Sequence, residues 1–235
     1  MPEAAKARAR IALSWSGGKD SLMALLALEA NPSLEVCALV TTLNESTARV
    51  SMHGLRESLL DTQAQTIGLP LVKCGLPANA GNDLYRRRFA AALAPLIDDG
   101  VSGVAFGDLF LAEVRSFREA QMQALRLEAL FPLWGTPSAT LARLFLQSGH
   151  RAILGCVDAT RLGPRFLGRD YDAKLLAELP VAVDPCGENG EFHSFVHAGP
   201  RLVRNIRFRR GRRVVHAQRF HFLDLLAEPP ARAAV

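Results

Sequence analysis

Short apolar runs alternate with amphipathic segments along the first half of the chain. The apolar runs predict buried strands at residues 11–15, 36–41, 69–74 and 101–106. Apolar residues at helical spacing predict helices at residues 20–30, 55–67, 83–97 and 111–130. Strands that alternate with helices in this way form a parallel sheet that is covered on both faces. Such sheets bind their ligands at the carboxyl ends of the strands.

The alternation changes after Phe131–Trp134. The second half predicts a helix at residues 138–148, a strand at 153–157, a helix at 171–179 and a β-hairpin at 201–222 that turns near Arg210–Gly211. We therefore predict an α/β protein in which a Rossmann-like parallel sheet is followed by a smaller α+β substrate domain. The predicted units are residues 1–135, residues 136–225 and a loose tail at residues 226–235.

The composition is that of a globular protein, with 49% apolar and 22% charged residues. No apolar run reaches the roughly 18 residues of a membrane span, and the basic start of the chain lacks the apolar stretch of a secretory signal. We therefore expect a cytoplasmic protein without a membrane partner. The scattered positions of the four cysteines predict neither disulfides nor a cysteine metal site: Cys37, Cys74, Cys156 and Cys186. Whether another metal site exists stays open.

The net charge of +5 is unevenly distributed. Eight arginines crowd the C-terminal region: Arg201, Arg204, Arg207, Arg209, Arg210, Arg212, Arg213 and Arg219. Such a cluster is typical either of a nucleic-acid interface or of a solvated basic hairpin. The interleaved valine, isoleucine and phenylalanine favour the hairpin, so we expect no nucleic-acid partner.

A glycine-containing loop, Ser16–Ser21 with the sequence SGGKDS, lies between the first predicted strand and the first predicted helix. Its glycines allow backbone N–H groups to converge on one anion, and the helix N-terminus adds a positive dipole. Lys19 supplies a charge, and Ser14 adds a hydroxyl to those of the loop. The loop is not a Walker A motif, since Asp20 follows the lysine. The alternative is an ordinary turn with a solvent-facing lysine.

Two further sites carry candidate chemistry. Asp108 directly follows a predicted strand, where it would hold Mg²⁺, bind a substrate group or act as a helix N-cap. The segment Asp184–Ser194 concentrates acids, an asparagine, a histidine and two glycines. It would present four polar residues together: Glu188, Asn189, Glu191 and His193. Such a turn suits a cationic substrate, a metal or ammonia. The alternative is a polar surface turn.

The Ser16–Ser21 loop resembles the PP-loop of the ATP pyrophosphatases, in the adenine nucleotide alpha-hydrolase superfamily. Those enzymes cleave ATP between its α and β phosphates and release pyrophosphate. With four further segments, the loop resembles the diphthine–ammonia ligase family over roughly residues 10–200: Phe106–Asp108, Phe131–Trp134, Phe166–Arg169 and Asp184–His193.

The resemblance implies a PP-loop ATPase sheet followed by a substrate domain, and an ATP- and Mg²⁺-dependent ligase. ATP would adenylylate the diphthine carboxylate of elongation factor 2, and ammonia would displace AMP to give an amide. In a bacterium, which the composition suits, the acceptor would be another carboxylate. The implied ATP-binding residues are Ser14, Ser16, Gly17, Gly18, Lys19, Asp20 and Ser21. The implied catalytic residues are Lys19, Asp108, Glu188, Glu191 and His193.

Two other functions remain open at this point. One is a PP-loop enzyme that modifies tRNA, which the C-terminal arginines favour. The other is a nucleotide-binding sensor without turnover, which the acidic turn at Glu188–His193 disfavours. The oligomeric state is also open, a homo-oligomer included.

Overall fold

The computed structural model describes residues 7–228 and contains two sheets in that range. The first sheet has six strands within the described residues: β1 (Ala9–Ser14), β2 (Leu34–Asn44), β3 (Arg49–Val50), β4 (Leu71–Leu76), β5 (Val101–Ala105) and β6 (Glu128–Leu130). The helices that accompany it are α1 (Lys19–Glu29), α2 (Glu57–Ile67), α3 (Asn82–Asp98) and α4 (Ala112–Ala124). The mixed α/β architecture predicted from the sequence is confirmed.

The strand order of the first sheet creates a crevice at its centre. The main path is β3-β2-β1-β5-β6, with β4 also pairing with β2. All pairs are parallel except β2 with β3. The chain leaves β1 toward β2 on one side and later returns to β5 on the other side. Ligands of open parallel sheets bind at such a switch point, and here the segments after β1 and β5 meet there.

The second sheet is antiparallel, in the order β8-β7-β10-β9. Its strands are β7 (Arg151–Asp158), β8 (Phe192–Ala198), β9 (Phe208–His216) and β10 (Phe220–Ala227). Two α-helices, α5 (Ser138–Gln147) and α6 (Ala173–Glu178), and a 3₁₀ turn, Pro164–Phe166, complete this half. The sequence pattern did not predict β8, because a polar turn precedes it and its histidines interrupt the apolar run.

One hydrophobic cluster joins the two sheets. It includes Leu13 of β1, Leu154 of β7, Phe195 of β8 and Leu225 of β10, all nearly inaccessible to solvent. A second cluster covers the other face of the first sheet, between that sheet and helices α3 and α4. The predicted domain boundary near residue 135 stays a prediction.

Two boundaries predicted from the sequence are wrong. The helix expected at residues 111–130 ends at Ala124, because Arg126 adopts a left-handed φ of 58° and the next residues pair with β5 as β6. The hairpin turns at Ala217–Arg219, where two residues have positive φ, and not near Arg210–Gly211. Gly211 instead lies at an irregularity inside β9, where a Cβ would be 2.9 Å from the Asp224 carbonyl.

The predicted tail is partly structured. Residues 226 and 227 belong to β10, whereas Pro229–Pro230 and the residues after them lie outside the described range. Among the helices within residues 7–228, none is both long and apolar enough to cross a membrane.

Candidate active site

The phosphate loop begins where β1 ends. Gly17 has φ +81°, and a Cβ there would lie 2.7 Å from a methyl group of Leu60, so the position requires glycine. Helix α1 starts at Lys19 with Gly18 as its N-cap and without a side-chain cap. Except for the Lys19 N–H, which donates to Ser194, the first N–H groups of this helix therefore keep the capacity to bind an anion.

The second sheet closes over this loop. The Lys19 N–H donates to the Ser194 hydroxyl at 3.1 Å, and the Val196 N–H donates to the Gly17 carbonyl at 3.0 Å. The Gln63 amide donates to both the Gly17 carbonyl, at 2.9 Å, and the Val196 carbonyl, at 2.6 Å. Strand β8 is thus bound directly to the loop, which explains why the turn before β8 reaches the phosphate-loop side of the molecule.

Lys19 is buried beneath this junction, with 2% of its surface exposed. Its ammonium donates to the Asp20 carboxylate at 2.8 and 3.0 Å and to the Cys186 carbonyl. The Tyr171 and Phe192 rings each lie 5.4 Å from Nζ. Burial works to lower the pKa of Lys19, but the attraction and hydrogen bond of Asp20, together with smaller contributions from Cys186 and Glu188, outweigh burial, and the pKa is raised. The side chain is therefore a fixed positive charge.

Asp108 lies at the carboxyl end of β5, as predicted from the sequence. It accepts hydrogen bonds from Arg118 of α4, with Nε at 2.6 Å. It does not cap α4, whose N-cap is Leu111. Its carboxylate is thus oriented by an arginine at the switch point of the sheet.

Glu188 approaches from the second half of the chain. Its Oε1 accepts a hydrogen bond from the Leu109 N–H at 2.8 Å. Burial raises the pKa of Glu188 to about 7, and the negative charges of Asp20 and Asp108 act in the same direction. Near neutral pH this carboxyl exchanges a proton readily, as a general acid or base must.

These groups surround one cavity of about 210 Å³. Nine of the predicted site residues line it: Ser14, Ser16, Gly18, Lys19, Asp20, Ser21, Asp108, Glu188 and His193. Gly17 is not among the lining residues and packs beneath the loop. The turn before β8 therefore faces the phosphate loop.

Glu191 is placed differently from the prediction. Its side chain is buried, and its Oε1 accepts from the Asp184 N–H and from the Asn189 amide, both at 3.1 Å. It is absent from the cavity lining. Because Glu191 accepts both hydrogen bonds within its own loop, it stabilises the turn that presents Glu188.

Several lining residues were missed by sequence reasoning, among them His53, Arg118, Cys186 and Ser194. The His53 ring lies 4.0 Å from the His193 ring between centroids, at 32°. Burial is the main reason that the pKa of His193 falls to about 4 and that of His53 lies well below its usual value. Nothing local marks His53, since its loop has neither periodicity nor a motif.

Two family models match the chain. The model of the diphthamide synthase N-terminal domain matches residues 9–125, and that of the diphthamide synthase C-terminal domain matches residues 138–225. The chain belongs to the diphthamide synthase family. This is an ATP-using enzyme family of the PP-loop type. The family assignment therefore agrees with the resemblance of the Ser16–Ser21 loop to a PP-loop.

Solved structures resemble the chain only distantly. A predicted subunit of a tRNA methyltransferase from Methanocaldococcus jannaschii is 18% identical, with a TM-score of 0.37, over 61% of this chain and 80% of that one. The U34-tRNA thiolase NcsA from Methanococcus maripaludis, solved with its [4Fe-4S] cluster, is 19% identical, with a TM-score of 0.35, over 60% of this chain and 58% of that one. No curated protein matches the chain. Likenesses this weak carry no inference about substrate.

Proposed function

We propose that this protein is an ATP-dependent amide ligase that adenylylates a carboxylate and transfers ammonia to it. The carboxylate oxygen attacks the α-phosphorus of ATP, the bond to the β-phosphate oxygen breaks, and pyrophosphate leaves. The ammonia nitrogen then attacks the carbonyl carbon, AMP leaves, and two protons are lost from ammonium in all. The convergence of the phosphate loop with Asp108 and Glu188 in one cavity carries this proposal.

The phosphate loop suits the departing pyrophosphate. The uncapped start of α1 offers N–H donors, and Lys19 contributes a permanent positive charge next to them. The cavity of about 210 Å³ is smaller than a typical ligand pocket of roughly 300–1,000 Å³. That size matches the polyphosphate tail, so the nucleoside would extend beyond the cavity.

Mg²⁺ would accompany ATP on the phosphate oxygens, with few protein ligands. Within residues 7–228 no group of three or more His, Cys, Asp or Glu side chains is arranged to hold a metal by itself. Asp108 is a lining carboxylate that fits this role of supplementary oxygen donor. The ion would supply charge neutralisation for the phosphates.

Glu188 suits the ammonia half of the reaction. A carboxyl with a pKa of about 7 can accept a proton from ammonium and release it again at neutral pH. The negative charges of its neighbours Asp20 and Asp108 help to hold the pKa of Glu188 in this range. The acceptor by family is the diphthine carboxylate of elongation factor 2, and a different carboxylate protein or metabolite is the alternative.

The test is to identify the nucleotide product. The protein is incubated with α-labelled ATP, Mg²⁺, ammonium and elongation factor 2 that carries diphthine, and the same mixture is prepared with other carboxylate acceptors. AMP, pyrophosphate and an amide product are expected in equal amounts. ADP and phosphate as the products would overturn the proposal, and ATP binding without any turnover would favour a sensor.

A further inference from the structure

His53 lies on the segment that connects β3 to α2, and it enters the cavity from the side of the first sheet. Its Nδ1 is buried and has no hydrogen-bond partner among the described residues. His193 enters from β8 of the second sheet, and the two rings lie against each other in the cavity wall, tilted by 32°. The phosphate contacts of Lys19 and the proton transfer by Glu188 in the proposed reaction do not require this pair. The cavity wall therefore contains two adjacent imidazoles, one of them with an unpaired buried nitrogen, that have no assigned function.

The segment that carries His53 is held in place from behind. Asp224 of β10 binds Arg49 at 2.7 Å and Arg56 at 2.7 and 2.8 Å, on either side of the segment. Arg49 also donates to the Gly54 carbonyl at 2.7 Å, and the Phe222 ring leaves no room for a Cβ at Gly54. The charges behind His53 are therefore paired with one another, so the cavity side dominates its electrostatics.

On the cavity side, burial is the main factor that disfavours a positive charge on either histidine, and Lys19 adds to this effect. His193 also disfavours a charge on His53. The other titratable or charged side chains of the lining are Asp20, Asp108, Arg118, Cys186 and Glu188. Asp108 is paired with Arg118, and Asp20 is paired with Lys19. These groups thus favour two neutral imidazoles beside a buried ammonium.

A polyphosphate at the loop reverses this field, because it places several negative charges beside Lys19. A negative charge within a few ångströms raises the pKa of a histidine by roughly 1 to 3. The pKa of His193, which is about 4 without the anion, would therefore move toward neutral pH. The two adjacent imidazoles bind one proton more readily than a second one, because a second positive charge at this distance would be repelled by the first.

We propose that His53 and His193 together form a further phosphate contact, which gains one proton when the polyphosphate tail of ATP or free pyrophosphate binds at the loop. The proton gives one imidazole a charge-assisted hydrogen bond to a phosphate oxygen. On departure of pyrophosphate the proton leaves again, so release is linked to pH. The inference rests on the proposed use of the loop for pyrophosphate.

The probe is inorganic pyrophosphate, titrated into the full-length protein in a fixed excess of magnesium chloride at pH 6. Calorimetry in buffers of different ionisation enthalpy counts the protons taken up. Wild type is expected to take up more protons than His53→Gln or His193→Gln, and to bind roughly tenfold more tightly than either. The matched control is His216→Gln, an exposed histidine, which should behave as wild type. The protonation of pyrophosphate itself is common to all variants and cancels.

Histidine NMR of the wild type gives the same answer without a substitution. The pKa of at least one ring of the pair should rise when pyrophosphate is added, while that of His216 stays constant. This inference is overturned if both variants bind pyrophosphate tightly with the proton count of the wild type, and if the histidine titrations do not change. The proposed function would then stay intact. If the wild type binds no more pyrophosphate than Lys19→Ala, the loop assignment itself is wrong and both proposals fail.

Discussion

At the scale of single residues, the cavity combines a permanent cation with an acid that titrates near neutrality. Lys19 is kept charged by Asp20 although it is buried, and Glu188 is kept near its midpoint by burial and by neighbouring acids. The first state suits a group that binds phosphate throughout the reaction. The second suits a group that moves a proton within it.

Lys19→Ala should lower the rate of AMP formation by roughly 10²- to 10³-fold, by analogy with the loss of one oxyanion donor. The reason is that Lys19 stabilises the charge on departing pyrophosphate. Lys174→Ala on α6 removes an exposed lysine and serves as the control. The rates are compared under saturating ATP, with the acceptor that yields an amide in the product assay. Full activity of Lys19→Ala would show that the assignment is wrong.

Glu188→Gln should change the pH dependence of amide formation. The pKa of Glu188 is raised, so the carboxylate that accepts a proton forms as the pH rises through about 7. The rate at a fixed concentration of free ammonia should therefore rise through this range in the wild type and stay flat and low in the variant. Adenylylation, followed as exchange of labelled pyrophosphate into ATP, should change much less. An identical pH profile in the two proteins would exclude Glu188 as the base.

At the scale of elements, β10 does more than complete the second sheet. Through Asp224 it binds the arginines that flank the His53 segment in the first half of the chain. Its partner β9 presents the other side of the hairpin to solvent, with Arg209, Arg212 and Arg213 exposed. One strand thus stabilises the site, and the other carries the basic surface.

Asp224→Asn should lower the free energy of unfolding by about 2 kcal/mol at pH 7. The hydrogen bonds and charges of Arg56 and Arg49 depress the pKa of Asp224 to about 2 from a usual 3.8. A depressed pKa stabilises the fold above the usual value, and the gain is lost as the pH falls from about 4 toward 2. Urea unfolding at several pH values measures this difference. The exposed Asp83→Asn should have little effect, and equal losses in both variants would contradict the prediction.

Bulk tRNA should bind the β9 surface weakly, and its affinity should fall steeply with salt because binding releases counterions. Replacing Arg209, Arg212 and Arg213 by alanine should reduce that salt dependence more than replacing Arg86, Arg87 and Arg88 of α3. Filter binding over a range of salt concentrations makes the comparison. Tight, salt-resistant binding of one tRNA would instead support a tRNA-modifying enzyme.

At the scale of the whole molecule, the two sheets share a hydrophobic cluster and a cavity. The junction also includes the backbone hydrogen bond from Val196 to Gly17. Neither half could move away from the other without exposing apolar side chains and unpairing this bond, so the site depends on both halves together.

Thermal unfolding should therefore be a single cooperative transition. Both tryptophans, Trp15 and Trp134, precede the second sheet along the chain. Fluorescence therefore follows the first sheet and its flanking segments, while far-UV circular dichroism follows both sheets. Leu154→Ala, in the second sheet, should cost about 2–5 kcal/mol and shift both signals equally. If the midpoint of the fluorescence transition is unchanged by this substitution, the two halves unfold independently.

The sequence by itself determined the features that are encoded locally. Apolar periodicity specifies the alternating strands and helices of the first half, and a strand, a glycine loop and a helix in succession specify the phosphate loop, because each signal lies within a few residues. Asp108 and the polar turn around Glu188 were predicted for the same reason. Local patterns did not predict the short strands β3 and β6 or the turn at Ala217–Arg219. At these positions the local preferences are weak, and pairing with other strands determines the structure.

Only the tertiary structure decided which of these residues share the cavity. His53, Arg118 and Ser194 join it from three distant segments, whereas Glu191 turns into its own loop to bind N–H groups. These placements follow from the docking of β8 on the phosphate loop and of β10 on the His53 segment. Such contacts link residues more than a hundred positions apart, and no local pattern along the chain encodes which distant side chains will meet.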